Sequence, residues 1–202
     1  MNGLAVIFPS YPEFNMAEAT VTARHDSTAQ KIDGLPAPKA AEKTPNVRLD
    51  ELKKALSANV AARAKTISRI AALAEGSQDR AFRNQCADAI GSFMTADGTS
   101  TTDREFAAKT LGAVNSSKAV DYLGTALSDG ISEGVKYPTT VRVAAVHALI
   151  WQTSLPMGED RTREHAMEII RAVAEKDRYD PRREAKRFLD RLEEMKRKNK
   201  ES

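Results

Sequence analysis

Cysteine is nearly absent: the chain of 202 residues has one, Cys86. That excludes an internal disulfide framework and any cysteine-cluster zinc site, and it makes a reducing compartment, the cytoplasm, the expectation. Aromatic residues contribute only 5% of the chain and the apolar fraction is 41%, much of it alanine. A core built from such small side chains suits closely packed helices better than a sheet sandwich, which needs β-branched and aromatic residues in alternation. Long apolar runs are missing as well, since none approaches the roughly eighteen residues of a membrane span. Leu4-Ala5-Val6-Ile7-Phe8 stops at Pro9 with no Lys or Arg before it, too short and wrongly flanked for a signal peptide. A membrane is therefore not an expected partner. Nor does charge of one sign dominate: 31 basic and 28 acidic residues leave +3, which permits nucleic acid as a partner without implying it.

Proline is unevenly spread. Pro9, Pro12, Pro36, Pro38 and Pro45 fall before residue 47, among Ser, Thr, Ala and Lys without helical periodicity. So little apolar surface cannot offset the entropy of ordering, and residues 1–46 read as a disordered arm. Met16 offers an alternative start, and Phe8 to Phe14 a short partner-binding segment. The remaining length fits one domain, 47–195, followed by a frayed basic end, 196–202.

From Val47 onward apolar residues recur at three- and four-residue spacing, and the breaks carry helix caps. Leu49, Leu52, Leu56, Val60, Ile67, Ile70 and Leu73 open the series, with Gly76 as its stop. Further helices are expected around Phe82 to Phe93, Phe106 to Val114 and Val120 to Leu127, the last ending near Gly130 or Gly134. Pro138, Glu159-Asp160 and Asp180-Pro181 open three more, since proline and negative charge both suit a first helical turn. Seven or eight helices leave no room for a sheet.

One pattern repeats: an arginine, a small residue three on, and Leu or Ile four beyond that. It occurs as Arg63-Thr66-Ile70, Arg83-Cys86-Ile90, Arg104-Ala107-Leu111, Arg142-Ala145-Leu149, Arg163-Ala166-Ile170 and Arg182-Ala185-Leu189. The helix at Val120-Leu123-Leu127 keeps the apolar spacing without the arginine. Anchors about twenty residues apart make a helix pair about every forty. The small residue permits close helix contact, the larger one fills the space between layers, and the arginine stem covers apolar surface while its head stays wet.

The segments Pro138-Thr-Thr-Val-Arg-Val-Ala-Ala-Val-His-Ala-Leu149 and Asp180-Pro-Arg-Arg-Glu-Ala-Lys-Arg-Phe-Leu189 resemble the first helix of HEAT and HEAT-like repeats. The likeness spans roughly residues 47 to 195 and is strongest after Asp103. It implies an all-α fold, a short α-solenoid of antiparallel helix pairs, and a scaffold or adaptor role more often than catalysis. Some members of that family are DNA glycosylases or chromophore lyases, but Trp151 is the one aromatic here that invites the comparison, and packing between helices is its expected role.

Residues suited to chemistry are scattered. His25 lies in the arm, and His147 and His165 fall on different helices without the pairing of a zinc site. Cys86 occupies a small-residue position and reads as an inert buried thiol. No phosphate-binding glycine loop or nucleophile elbow is present. No catalytic, cofactor or metal residue is assigned, and a non-enzymatic function is the expectation. The expected partner is another protein, held along a concave face formed by the second helices of the pairs, with Lys118, Asp121, Tyr122, Arg163 and Glu164 as contact residues. Nucleic acid, held through the basic helix from Arg182 to Lys200, is the alternative.

Overall fold

The computed structural model describes residues 44–58, 60–128, 136–155 and 160–201. The arm, Met16, His25, the loop at Gly130 and Gly134, and the Pro156 break lie outside the described residues, apart from the arm's last three positions. All described elements belong to one compact unit, Glu42–Ser202, and they are helical without a strand. They are α1 (Pro45–Ala58), α2 (Arg63–Glu75), α3 (Arg80–Thr95), α4 (Thr101–Leu111), α5 (Ser117–Ser128), α6 (Thr139–Ser154), α7 (Asp160–Lys176) and α8 (Asp180–Glu201), with a 3-10 turn at Val60–Ala62.

Local chemistry accounts for the helix starts. Asp79 accepts the backbone N–H of Ala81 at 2.8 Å ahead of α3, and Ser100 that of Asp103 at 3.1 Å ahead of α4. Ser116 Oγ takes the N–H of Lys118 at 3.1 Å to open α5. Pro138 precedes the first residue of α6 with extended ψ, outside the helix rather than inside its first turn. Gly98, at φ 81°, makes the reversal between α3 and α4, a conformation that other residues adopt with strain.

Two boundaries differ from the sequence expectation. The series from Leu49 to Leu73 divides into two helices, because the chain turns at Val60–Ala62; Val60, in register with the apolar stripe, is 67% exposed. At the other end, α8 continues through residues 196–201 as helix.

Each helix contacts only its next and next-but-one neighbours among the described elements. The helices therefore fall into two rows, α1-α3-α5-α7 and α2-α4-α6-α8, linked by consecutive pairs. The small residues Cys86, Ala107, Ala145, Ala166 and Ala185 are fully buried between them, as are Ile70, Ile90, Leu111, Leu149 and Ile170. Within a row the approach is close. A Cβ on Gly112, just past the end of α4, would lie 3.0 Å from the Cα of Ala148 in α6, and a Cβ on Gly91 of α3 would lie 2.1 Å from the Tyr122 ring in α5.

Candidate interaction surface

The repeated arginines depart from expectation, because their heads are not left to solvent. Arg104 donates from Nε to the carbonyl of Thr99 at 3.0 Å, from Nη1 to Met94 at 2.8 Å and from Nη2 to Ala96 at 2.7 Å. Arg83 donates to Ser77 and Gln78 at 3.1 and 3.0 Å, and to Asn115 at 2.9 Å. Arg163 reaches the carbonyl of Leu155 at 3.0 Å, and Arg182 that of Ala174 at 3.2 Å. The carbonyls ending a helix lack intrahelical partners and carry the negative end of its dipole, so a multi-donor cation fits them well. Arg83, Arg104, Arg142 and Arg163 each occupy the fourth residue of their helix. From that position Arg104 and Arg163 fold back on the end of the preceding helix, whereas Arg83 holds the loop before its own helix and the carbonyl of Asn115 ahead of α5.

Arg142 has a different partner. Its guanidinium pairs with the Asp177 carboxylate between α7 and α8, and both side chains are fully buried. The Tyr179 ring lies 5.6 Å from the same guanidinium, and the N–H of Tyr179 donates to Asp177 at 2.9 Å. Among the described residues Asp177 is the buried carboxylate, and this ion pair occupies it. Arg63 pairs with Asp103 at 3.2 Å and lies over the Phe93 ring at 5.4 Å, joining α2 to α4 and α3.

The expected contact residues take unlike places. Lys118, Asp121 and Glu164 are exposed on α5 and α7. Tyr122 is half-buried, its ring in the notch left by Gly91 and its hydroxyl 3.1 Å from that of Ser92. Arg163 is also half-buried, and its head is engaged with Leu155. Asp121 sits 3.4 Å from His165 Nε2, joining α5 to α7, with Glu168 3.7 Å from Nδ1 on the far side of that ring. His147 lies 3.6 Å from Glu184. Each histidine thus has a carboxylate neighbour on another helix, Asp121 for His165 and Glu184 for His147, that sequence spacing did not bring out. Even so, no three His, Cys, Asp or Glu side chains among the described residues group to hold a metal.

Trp151 corrects a second expectation. Instead of packing between helices it is 55% exposed. It belongs to the outward stripe of α6, where Thr140, Val143, His147 and Ser154 share its side at helical spacing and none is fully buried. Comparisons with family models, curated proteins and solved structures return no match. The surface has to be judged on its own chemistry. Tryptophan is enriched at the energetic centres of protein interfaces.

The basic C-terminal helix is less available than its sequence implies. Arg183 contacts Asp180 at 3.3 Å, Arg187 contacts Glu184 at 3.1 Å and Lys198 contacts Glu194 at 2.7 Å. No helix among the described residues is long and apolar enough to cross a membrane. Cys86 is fully buried, and burial pushes its thiol up to about 11, with Lys53 pulling weakly the other way.

Proposed function

We propose that this chain is a non-catalytic scaffold or adaptor, a short α-solenoid of HEAT-like helix pairs that binds another protein along one face. Contact between sequence neighbours alone supports the array, since a solenoid differs from a bundle in having no helix that returns to a distant one. Arg104, Arg163 and Arg182, which tie α4, α7 and α8 to the ends of the helices before them, support it further. The observation that carries the binding role is the exposed Trp151 on α6, in the row α2-α4-α6-α8. A tryptophan in that setting supplies a large, stiff apolar surface whose desolvation drives association.

A photo-crosslinking amino acid at position 151, at 147 or at 121 tests this in cells. Crosslinks to one discrete protein from 151 and 147, with a Trp151→Ala affinity loss of about tenfold or more and unchanged thermal stability, is the expected result. The second reading places the partner on α3-α5-α7, favoured by the exposed strip of Lys118, Asp121, His165 and Glu164. It predicts crosslinks from 121 while 151 is silent. Crosslinks to nucleic acid, with affinity falling steeply in salt, would replace the protein partner altogether.

A further inference from the structure

The seam between α6 and α8 joins open apolar surface to positive charge. Arg142 of α6 pairs with Asp177, just ahead of α8, and His147 of α6 lies 3.6 Å from Glu184 of α8, so the two helices run side by side in the same direction. One turn further along each lie the exposed Trp151 on α6 and the half-buried Phe188 on α8. Met195, two turns beyond Phe188 and by that register past the end of α6, is 43% exposed. The uncompensated charge along this seam is positive. No Asp or Glu occurs in α6. On the adjoining edge of α8, Glu184 is shared by His147, Arg183 and Arg187 at 3.6, 3.7 and 3.1 Å, and Glu194 is bonded by Lys198 at 2.7 Å. Arg191, exposed between them and one turn before Met195, makes no ion pair among the described residues. The other carboxylates of that stretch, Asp190 and Glu193, fall roughly 140–160° around the helix from Met195.

We infer that the ligand of this face is an acidic segment of another protein, with one large apolar side chain set against Trp151 and carboxylates beside it reaching Arg187 and Arg191. The inference rests on the binding role proposed for Trp151 and names the chemistry of its partner. Burial of the indole supplies the desolvation energy, and the guanidiniums fix the register, since each can hold a carboxylate through two parallel N–H donors. A basic segment would meet Arg191 with no carboxylate left to receive it. Nucleic acid fits less well, because an unbroken line of phosphates would pass Glu184 and Glu194, and the two helices offer one open ring rather than a series for stacking. The row of α5 and α7 carries exposed Asp121, Glu164, Glu168 and Glu175, which repel an acidic segment.

Trp151 is the chain's one tryptophan, so its emission reports on this face alone. Random peptides displayed on phage and selected on the full chain are expected to be enriched in Asp and Glu beside Phe or Leu. Made synthetically without tryptophan, they are expected to shift the Trp151 emission. Arg191→Glu is expected to weaken them about tenfold or more, and Lys186→Glu, on the far side of α8, to leave them unaffected, with circular dichroism verifying the fold of each variant. Selected peptides that shift the emission but are neutral or basic, or that bind Arg191→Glu undiminished, overturn the acidic ligand and leave the protein-binding face standing. Recovery of no peptide that moves the emission counts against the binding role of Trp151 itself, and so against this inference with it. A single-stranded oligonucleotide that moves the emission and binds more tightly than any peptide puts nucleic acid in the segment's place.

Discussion

Arg142 and Asp177 show how much a single pair can govern. Both are fully buried, and a buried ion pair is weak evidence of net stability, yet removing one partner strands the other charge. Asp177→Ala is expected to cost about 3–5 kcal/mol in denaturant unfolding, while Arg142→Met combined with Asp177→Ala costs less than Asp177→Ala alone. A loss below about 1 kcal/mol for Asp177→Ala would show that the pair is not desolvated as described. Cys86 makes a pH prediction. Its thiol is raised from 9.0 to about 11 in the folded chain, so the unfolded state releases its proton first as pH climbs. The stability it contributes is complete below about pH 9 and is lost as pH rises towards 11. Relative to Cys86→Ala, the wild type should lose on the order of 1 kcal/mol per pH unit across that window. Parallel stability curves for the two would refute the assignment. At this scale the sequence was legible for burial and poorly legible for reach. The spacing of Arg104, Ala107 and Leu111 tells which residues share a face. It does not tell that the Arg104 head returns to carbonyls at residues 94, 96 and 99. The usable signal was the constant offset of Arg83, Arg104, Arg142 and Arg163 from their helix starts.

Between elements, small residues set the distance. Gly91 lies in the interior of α3, where Gly→Ala ordinarily stabilises by about 0.5–1 kcal/mol. Here the added Cβ would lie 2.1 to 2.5 Å from Tyr122 ring atoms, so Gly91→Ala is expected to destabilise by about 1–3 kcal/mol instead. In a Tyr122→Ala background the sign should revert to stabilising. Retention of the same loss in that background would mean that the ring is not what fills the notch. Helix starts at Pro138, Asp160 and Asp180 could be read from the sequence because proline and negative charge at a first turn act locally. The split between α1 and α2 could not, because Leu56, Val60 and Ile67 keep an apolar rhythm across a turn that shows itself only in the exposure of Val60. Trp151 was misplaced for a related reason. Helical spacing gives its angle to the Ala145–Leu149 face, but which neighbour covers that angle depends on how α4 and α8 flank α6.

The described helices contact only their next and next-but-one neighbours, and the proposed array rests on that pattern. The all-helical class followed from composition and periodicity. The groove between α1 and α2 at Leu52 and Leu73 did not, because it depends on how the two helices pack against each other. A nearest-neighbour array has a distinct energetic signature: opening free energies add along the stack, and the outermost pairs open without the middle. Native-state amide hydrogen exchange, read helix by helix, tests this most directly. A nearest-neighbour array should show the highest protection in α4 and α6, falling stepwise through α3 and α7 to α1 and α8. A single common opening free energy for all eight helices would contradict it and make the chain a one-core bundle.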